Sequence, residues 1–393
     1  MGPDNKLIGE VYFGMVVAVE HDDVTTLERR FVRVHSLTWA LTLRKEFPVL
    51  DATTFANSLV RCAMCACLAI LTPAVTEASS PAVSQEIIDA LTRANAAVVG
   101  VEVTAIEGAR SAETLGRRRT GSGVVIGSDG LILTIGYLML EADNIQIVTR
   151  DNRKLPARPV AYDLATGFGL VKPLLPLRGT NPVPLGSHSE LRPGEALMAA
   201  MGGEDADVAI TQLVSKRPFS GYWEYHIEAA LFTSPPIGNH SGAPLFNQRG
   251  ELLGIGSLLV ADATGETPRV AGNMFVPVDL LKPILAEMQS TGSSKQSRRP
   301  WLGLTSTEQS GRVQVVRVTR DSPAHTGGIQ PGDVILAVDD AQVATLEQFY
   351  KRVWAHPNPD DEIKLTVQHG TDVRTVTVKA IDRMTTMSKP SGI

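Results

Sequence analysis

From Ala97 to Val278 the chain offers one short apolar run after another, each closed by turn residues, with almost no apolar repeat at helical spacing. That pattern constrains the fold more than any other feature. Short, turn-punctuated strands build antiparallel sheets that must close on themselves or pack face to face, so a mostly β barrel or sandwich is expected. The strand candidates are AVVGVEV (97–103), GVVIG and LILTI flanking Ser128-Asp129-Gly130, NIQIVTR (144–150) and ARPVAYD (157–163). They continue at ALMAAM (196–201), DVAITQLV (207–214), YWEYHIEA (222–229), ELLGIGSLLV (251–260) and RVAGNMFVPV (269–278). The Asp-Gly pair marks a hairpin. A short amphipathic helix at 86–95 precedes the run, and a closing helix is expected over 278–289.

Composition narrows the class. With 393 residues, 43% apolar and 20% charged, the chain is globular and long enough for two or three domains. A net charge of −5 gives no basic domain for nucleic acid. Cys62, Cys65 and Cys67 offer no disulfide framework and too few ligands for zinc, and nothing else calls for a metal or cofactor.

Those cysteines lie in a 14-residue apolar run, Cys62 to Val75, short of the roughly 20 residues that span a bilayer. Arg61 before it and small residues up to Ala78 after it fit a secretory signal over 59–78, with a periplasmic or secreted mature chain. The charged extension 1–58 suits either an over-extended start or a cytoplasmic tail before an uncleaved inner-membrane anchor. Membrane contact depends on that second case.

Residues 105–120 read as a loop ending in Gly116-Arg-Arg-Arg-Thr-Gly121, too few charges to bind an anionic surface. FSGYWEYH, 219–226, reads as barrel strand with alternate side chains packed inside, an exposed partner patch being the other option. Residues 290–299 are polar and read as a linker. A second unit follows over 300–383, with strands at 312–318, 333–338, 362–368 and 373–379 and a helix at 345–355; the tail beyond is expected to fray.

DSPAHTGGIQPGDVILAVDD, 321–340, resembles the PDZ domains of bacterial secreted proteases. The resemblance implies an edge groove that takes an extended peptide and a backbone nest for its C-terminal carboxylate. Trp301-Leu302-Gly303-Leu304 matches the nest position, and Phe349, Tyr350 and Val353 would form the facing helix wall. GSGVVIGSDGLILT (121–134), RKLPARPVAYD and GNHSGAPLFNQRGELLGI (238–255) resemble the trypsin-like unit of the HtrA (Deg) family. Together the two resemblances cover about residues 86–382 and imply a double six-stranded barrel over 86–289 followed by a smaller α+β PDZ domain.

The family's chemistry needs a Ser nucleophile, a His base and an Asp that orients the His. Carried over by motif, Ser241 keeps the nucleophile position, but Tyr137 stands at the His position and Gly167 at the Asp position. The stretch before Ser241 is one residue short, which puts Asn239 with Ser241 at the oxyanion-hole amides. His240 is adjacent to Ser241 but should point to the opposite face. His188 and His226 read as surface or strand histidines, and Asp163 as a turn residue.

The expectation is a secreted HtrA-like pseudoprotease in envelope protein quality control. Its partners would be unfolded or C-terminal apolar peptide segments, or an active HtrA relative. The resemblance itself implies the alternative, an active ATP-independent serine endopeptidase. A third option is a membrane-tethered structural partner. The aromatic residues through which the family trimerises have no counterpart between Ser79 and Gly136, which leaves monomer or dimer open.

Overall fold

The computed structural model describes residues 84–388. The extension and the 59–78 segment lie outside the described residues. The first helix, α1 (Gln85–Ala96), starts where Ser84 accepts a hydrogen bond from the Ile87 N–H. Glu86 in its first turn and Arg93 in its last complement the helix dipole.

Two closed six-stranded barrels follow, as the family resemblance implied; the strand pattern alone left barrel and sandwich open. The first uses β1 (Val98–Ala105), β2 (Arg118–Val125), β3 (Ile132–Ile135), β4 (Ala142–Val148), β5 (Lys154–Tyr162) and β6 (Phe168–Pro173), paired β1-β2-β3-β6-β5-β4. A short helix, α2 (Ala112–Leu115), interrupts the β1–β2 connection. The second uses β7 (Ala196–Met201), β8 (Asp207–Gly221), β9 (Tyr225–Ser234), β10 (Pro244–Phe246), β11 (Leu252–Val260) and β12 (Gly272–Pro277), paired β10-β11-β12-β9-β8-β7. Phe168, Phe232, Phe246 and Met274 belong to one buried cluster that runs through both barrels. Leu197, Leu213, Leu231 and Phe275 fill a separate cluster in the second.

The PDZ unit contains β13 (Pro300–Trp301), β14 (Leu304–Gln309), β15 (Arg312–Val318), β16 (Val334–Val338), β17 (Ala341–Gln342), β18 (Glu362–His369), β19 (Asp372–Lys379) and β20 (Ile381–Asp382). Its main sheet runs β14-β15-β16-β18-β19, and β13 pairs with β20. After the barrels come α3 (Leu285–Thr291), then α4 (Pro323–Thr326) and α5 (Leu346–Val353), with Thr345 capping α5 by accepting from Gln348 N–H.

Five local expectations need correction. The closing helix over 278–289 is broken: Val278–Leu280 is a 3-10 turn and only Leu285–Thr291 is α-helical. Pro283 lies between them and supplies no N–H. Residues 118–120 are strand rather than solvated loop, and they alternate, so Arg119 is buried between exposed Arg118 and Thr120. Residues 222–224 turn instead of extending, and make the tip of the β8–β9 hairpin. The polar stretch 290–299 is fastened down, with Ser294 and Ser297 buried and both donating to Asp163. Beyond the PDZ sheet, Arg383–Thr386 forms a 3-10 turn rather than fraying. Among the described residues no helix is long and apolar enough to cross a membrane.

Candidate functional site

After β3 the chain turns through a 3-10 segment, Gly136–Met139, which carries Tyr137 towards Ser241. The Tyr137 hydroxyl lies 2.7 Å from Ser241 Oγ and 3.0 Å from the Ser257 carbonyl oxygen. A phenol has one proton for these two neighbours, and a carbonyl can only accept. If Tyr137 donates to Ser257, Ser241 is left to donate to a neutral phenol oxygen, which is a poor proton acceptor. If it donates to Ser241, it removes no proton either. Only the phenolate would act as a base. Burial pushes the Tyr137 pKa above its usual value of about 10, and the hydrogen bond with Ser241 offsets this only in part.

Arg119 holds the turn that bears Tyr137. Its guanidinium donates to the carbonyls of Leu140 at 2.7 Å, Tyr137 at 3.2 Å and Leu138 at 3.4 Å, and to Ser111 Oγ at 2.7 Å. Ser111 in turn donates to Glu141 at 2.6 Å. Nothing local in RRTGSGVV marks Arg119 as the buried member of the arginine run; only its place in β2, between exposed Arg118 and Thr120, does so.

Ser241 precedes β10 and is tied to the first barrel, its carbonyl accepting from Ser122 N–H at 2.8 Å. Gly242 has φ +73°, and a Cβ there would lie 2.1 Å from the Ser122 carbonyl oxygen, so only glycine fits. Neither Gly238 nor Asn239 adopts a positive φ. Among the described residues, the N–H groups of Asn239 and Ser241 meet no acceptor. The His240 ring is buried with Nδ1 3.0 Å from the Gly238 carbonyl, and Nε2 has no partner there. Burial holds its pKa down. It makes no hydrogen bond to Ser241 among the described residues.

At the position the resemblance assigns to an orienting carboxylate, Gly167 donates to the Asp163 carbonyl and accepts from Gly136 N–H, each at 2.7 Å. A Cβ on Gly167 would sit 3.4 Å from the Tyr225 hydroxyl, which donates to the Thr166 carbonyl at 2.6 Å. Asp163 is wholly buried and accepts from Thr166, Ser294 and Ser297. Burial opposes its ionisation, but these hydrogen bonds outweigh it and hold the carboxyl below its usual range. It is a structural anion that fastens 290–299 to the barrel. Tyr137 and Gly167 open onto a cavity of about 660 Å³ that Trp223 and Trp301 also line.

In the PDZ unit the N–H groups of Leu302, Gly303 and Leu304 converge at 3.0, 2.7 and 2.7 Å on one carboxylate, that of Glu224 at the β8–β9 tip. Glu224 is buried with φ +59°. Burial pushes its pKa up, against the three amides, which favour the anion. Ser306 N–H on β14 donates to the Tyr222 carbonyl at 2.9 Å, and the Tyr350 hydroxyl to the Gly221 carbonyl at 2.7 Å. Of the expected wall residues, Tyr350 meets the hairpin, while Phe349 and Val353 are buried in the domain core. Trp301 is buried as well. The sequence reading missed Glu224; its signal was a single acid within an aromatic-rich turn.

His226, Glu228 and Glu347 have ligand atoms within 4.8 Å of one another. The Lys351 ammonium already bridges both carboxylates, at 2.8 and 2.6 Å.

A trypsin-like peptidase domain model matches residues 121–255 and a PDZ domain model residues 300–380. A probable periplasmic serine endoprotease, DegP-like, from Hahella chejuensis is 29% identical over 57% of this chain and 49% of its own length. A protein of the same description from Ectopseudomonas mendocina is 30% identical over 56% of this chain and 47% of its own. The chain thus spans about half the length of these curated relatives. Among solved structures, the HtrA-type protease AlgW with a tripeptide aligns at TM-score 0.50 and 22% identity, over 75% of this chain and 96% of that one.

Proposed function

We propose that this chain, a member of the HtrA family of trypsin-like proteases with a C-terminal PDZ domain, binds peptide segments without cleaving them. The observation that carries the reading is the Tyr137 phenol 2.7 Å from Ser241, in the place of a base. With Gly167 at the orienting position, Ser241 stays a neutral, weak nucleophile. Loss of triad members typically costs about 10⁴-fold or more in rate. Oxyanion-hole amides at Asn239 and Ser241 would by themselves give only slow background turnover.

The ligands proposed are unfolded or C-terminal apolar segments, with an active HtrA relative as a possible assembly partner. Relatives described as periplasmic support an envelope role in protein quality control, in a chain matured by loss of 59–78. The second reading, an ATP-independent endopeptidase, is favoured by the retained Ser241 and by the relatives' description as endoproteases. Prolonged incubation with unfolded casein decides between them. The account expects parent and Ser241→Ala to leave casein equally intact; digestion by the parent alone would establish the second reading.

A further inference from the structure

We propose that residues 221–225, the tip of the β8–β9 hairpin, are a built-in ligand of the PDZ groove, with the Glu224 side chain seated where the terminal carboxylate of a bound peptide would go. The inference deepens the peptide-binding reading above and rests on it for the identity of the groove.

Three contacts repeat what a peptide ligand would make. Successive backbone N–H groups at Leu302, Gly303 and Leu304 form a concavity suited to one anion, and one carboxylate fills it. Ser306 on β14 donates to the Tyr222 carbonyl as an edge strand donates to an added strand. Tyr350 on α5, the opposite wall, donates to Gly221. The hairpin is shaped for the task. Gly221 pairs with Tyr225, and the turn between them places Glu224 at φ +59°, a conformation that few glutamates adopt. Lys351 of α5 pairs with Glu228 of β9 at 2.8 Å beside the groove, an exposed contact that adds little by itself.

Because the ligand is tethered, it competes at a high effective concentration. A free C-terminal peptide binds only the fraction of molecules whose hairpin has left, and its apparent affinity falls by that fraction. The external ligand class is therefore an extended apolar peptide with a free carboxylate able to displace Glu224.

The test uses the full mature chain, a labelled decapeptide ending in valine as free acid and as amide, and amide hydrogen exchange. Glu224→Ala should bind the acid at least tenfold tighter than the parent, with Glu224→Gln intermediate, and no variant should gain for the amide. In the same two variants the amides of residues 302–304 should exchange at least tenfold faster than in the parent. Equal acid affinity in all three proteins would overturn self-occupancy and leave peptide binding standing. Unchanged exchange at 302–304 in both variants would overturn it whatever the peptide does. Faster exchange without peptide binding by any variant would uphold the internal ligand and refute the peptide-binding reading. Should Glu224→Ala fail to fold, Glu224→Gln, which keeps the side chain's shape and removes its charge, carries both measurements.

Discussion

The Tyr137 hydroxyl lies 2.7 Å from Oγ of Ser241 and 3.0 Å from the Ser257 carbonyl. On the proposed reading it caps the serine by hydrogen bonding and supplies no base. Tyr137→Phe should therefore remove the phenol's hydrogen bonds to Ser241 and Ser257 and nothing catalytic. The expected cost is about 1–3 kcal/mol in urea unfolding, with peptide hydrolysis at the blank rate before and after.

Restoring two triad side chains should not restore the enzyme. Gly167 has φ +83° and faces the Tyr225 hydroxyl, so a carboxylate there begins from a strained backbone and a crowded position. Tyr137→His combined with Gly167→Asp should lose about 1–2 kcal/mol of stability. It should cleave casein no more than in trace amounts, because the segment before Ser241 stays one residue short. Digestion within minutes at micromolar enzyme would contradict this.

Arg119 neutralises the carbonyl end of the Gly136–Met139 turn. Arg119→Met would leave the carbonyls of Tyr137, Leu138 and Leu140 buried without their donor, at a cost of about 3 kcal/mol. Arg119→Lys should recover only part of that, since an ammonium lacks the fork that reaches several acceptors. Urea midpoints of the three proteins check the ranking.

Burial lowers the pKa of both His226 and His240. The unfolded chain then binds protons that the native state refuses, at pH values between the lowered native pKa and the unfolded value of about 6.5. Their contribution to stability is complete above about pH 6.5 and is lost as the pH falls below it. His240→Asn should flatten the dependence of unfolding free energy on pH between 7.5 and 5, relative to the parent. Parallel curves would show that His240 does not titrate on unfolding.

The barrels were legible because their strands are short apolar runs separated by turn residues, a signal that needs no tertiary context. Local motifs singled out Tyr137, Gly167 and Ser241, and of these Tyr137 and Ser241 lie within hydrogen-bond distance of each other. The missed features depend on distant partners. Asp163 meets Ser294 and Ser297 across more than 130 positions, so a serine-rich stretch that reads as a linker is instead buried. Glu224 meets Leu302 across 78 positions, and nothing local says that a turn glutamate will find three amides. Arg119 was lost in a run of three arginines, of which it alone is buried. At Pro283 the apolar repeat of 278–289 continues although the backbone cannot, since proline lacks the N–H an unbroken helix needs.

The central claim is that no group activates Ser241, and fluorophosphonate labelling of the purified mature chain tests it most directly. An activated serine reacts with such a probe to stoichiometry; one capped by a neutral phenol should stay unlabelled over hours, with parent and Ser241→Ala indistinguishable by intact mass. Stoichiometric modification of the parent at Ser241, absent in Ser241→Ala, would contradict the account and show that another side chain supplies the base.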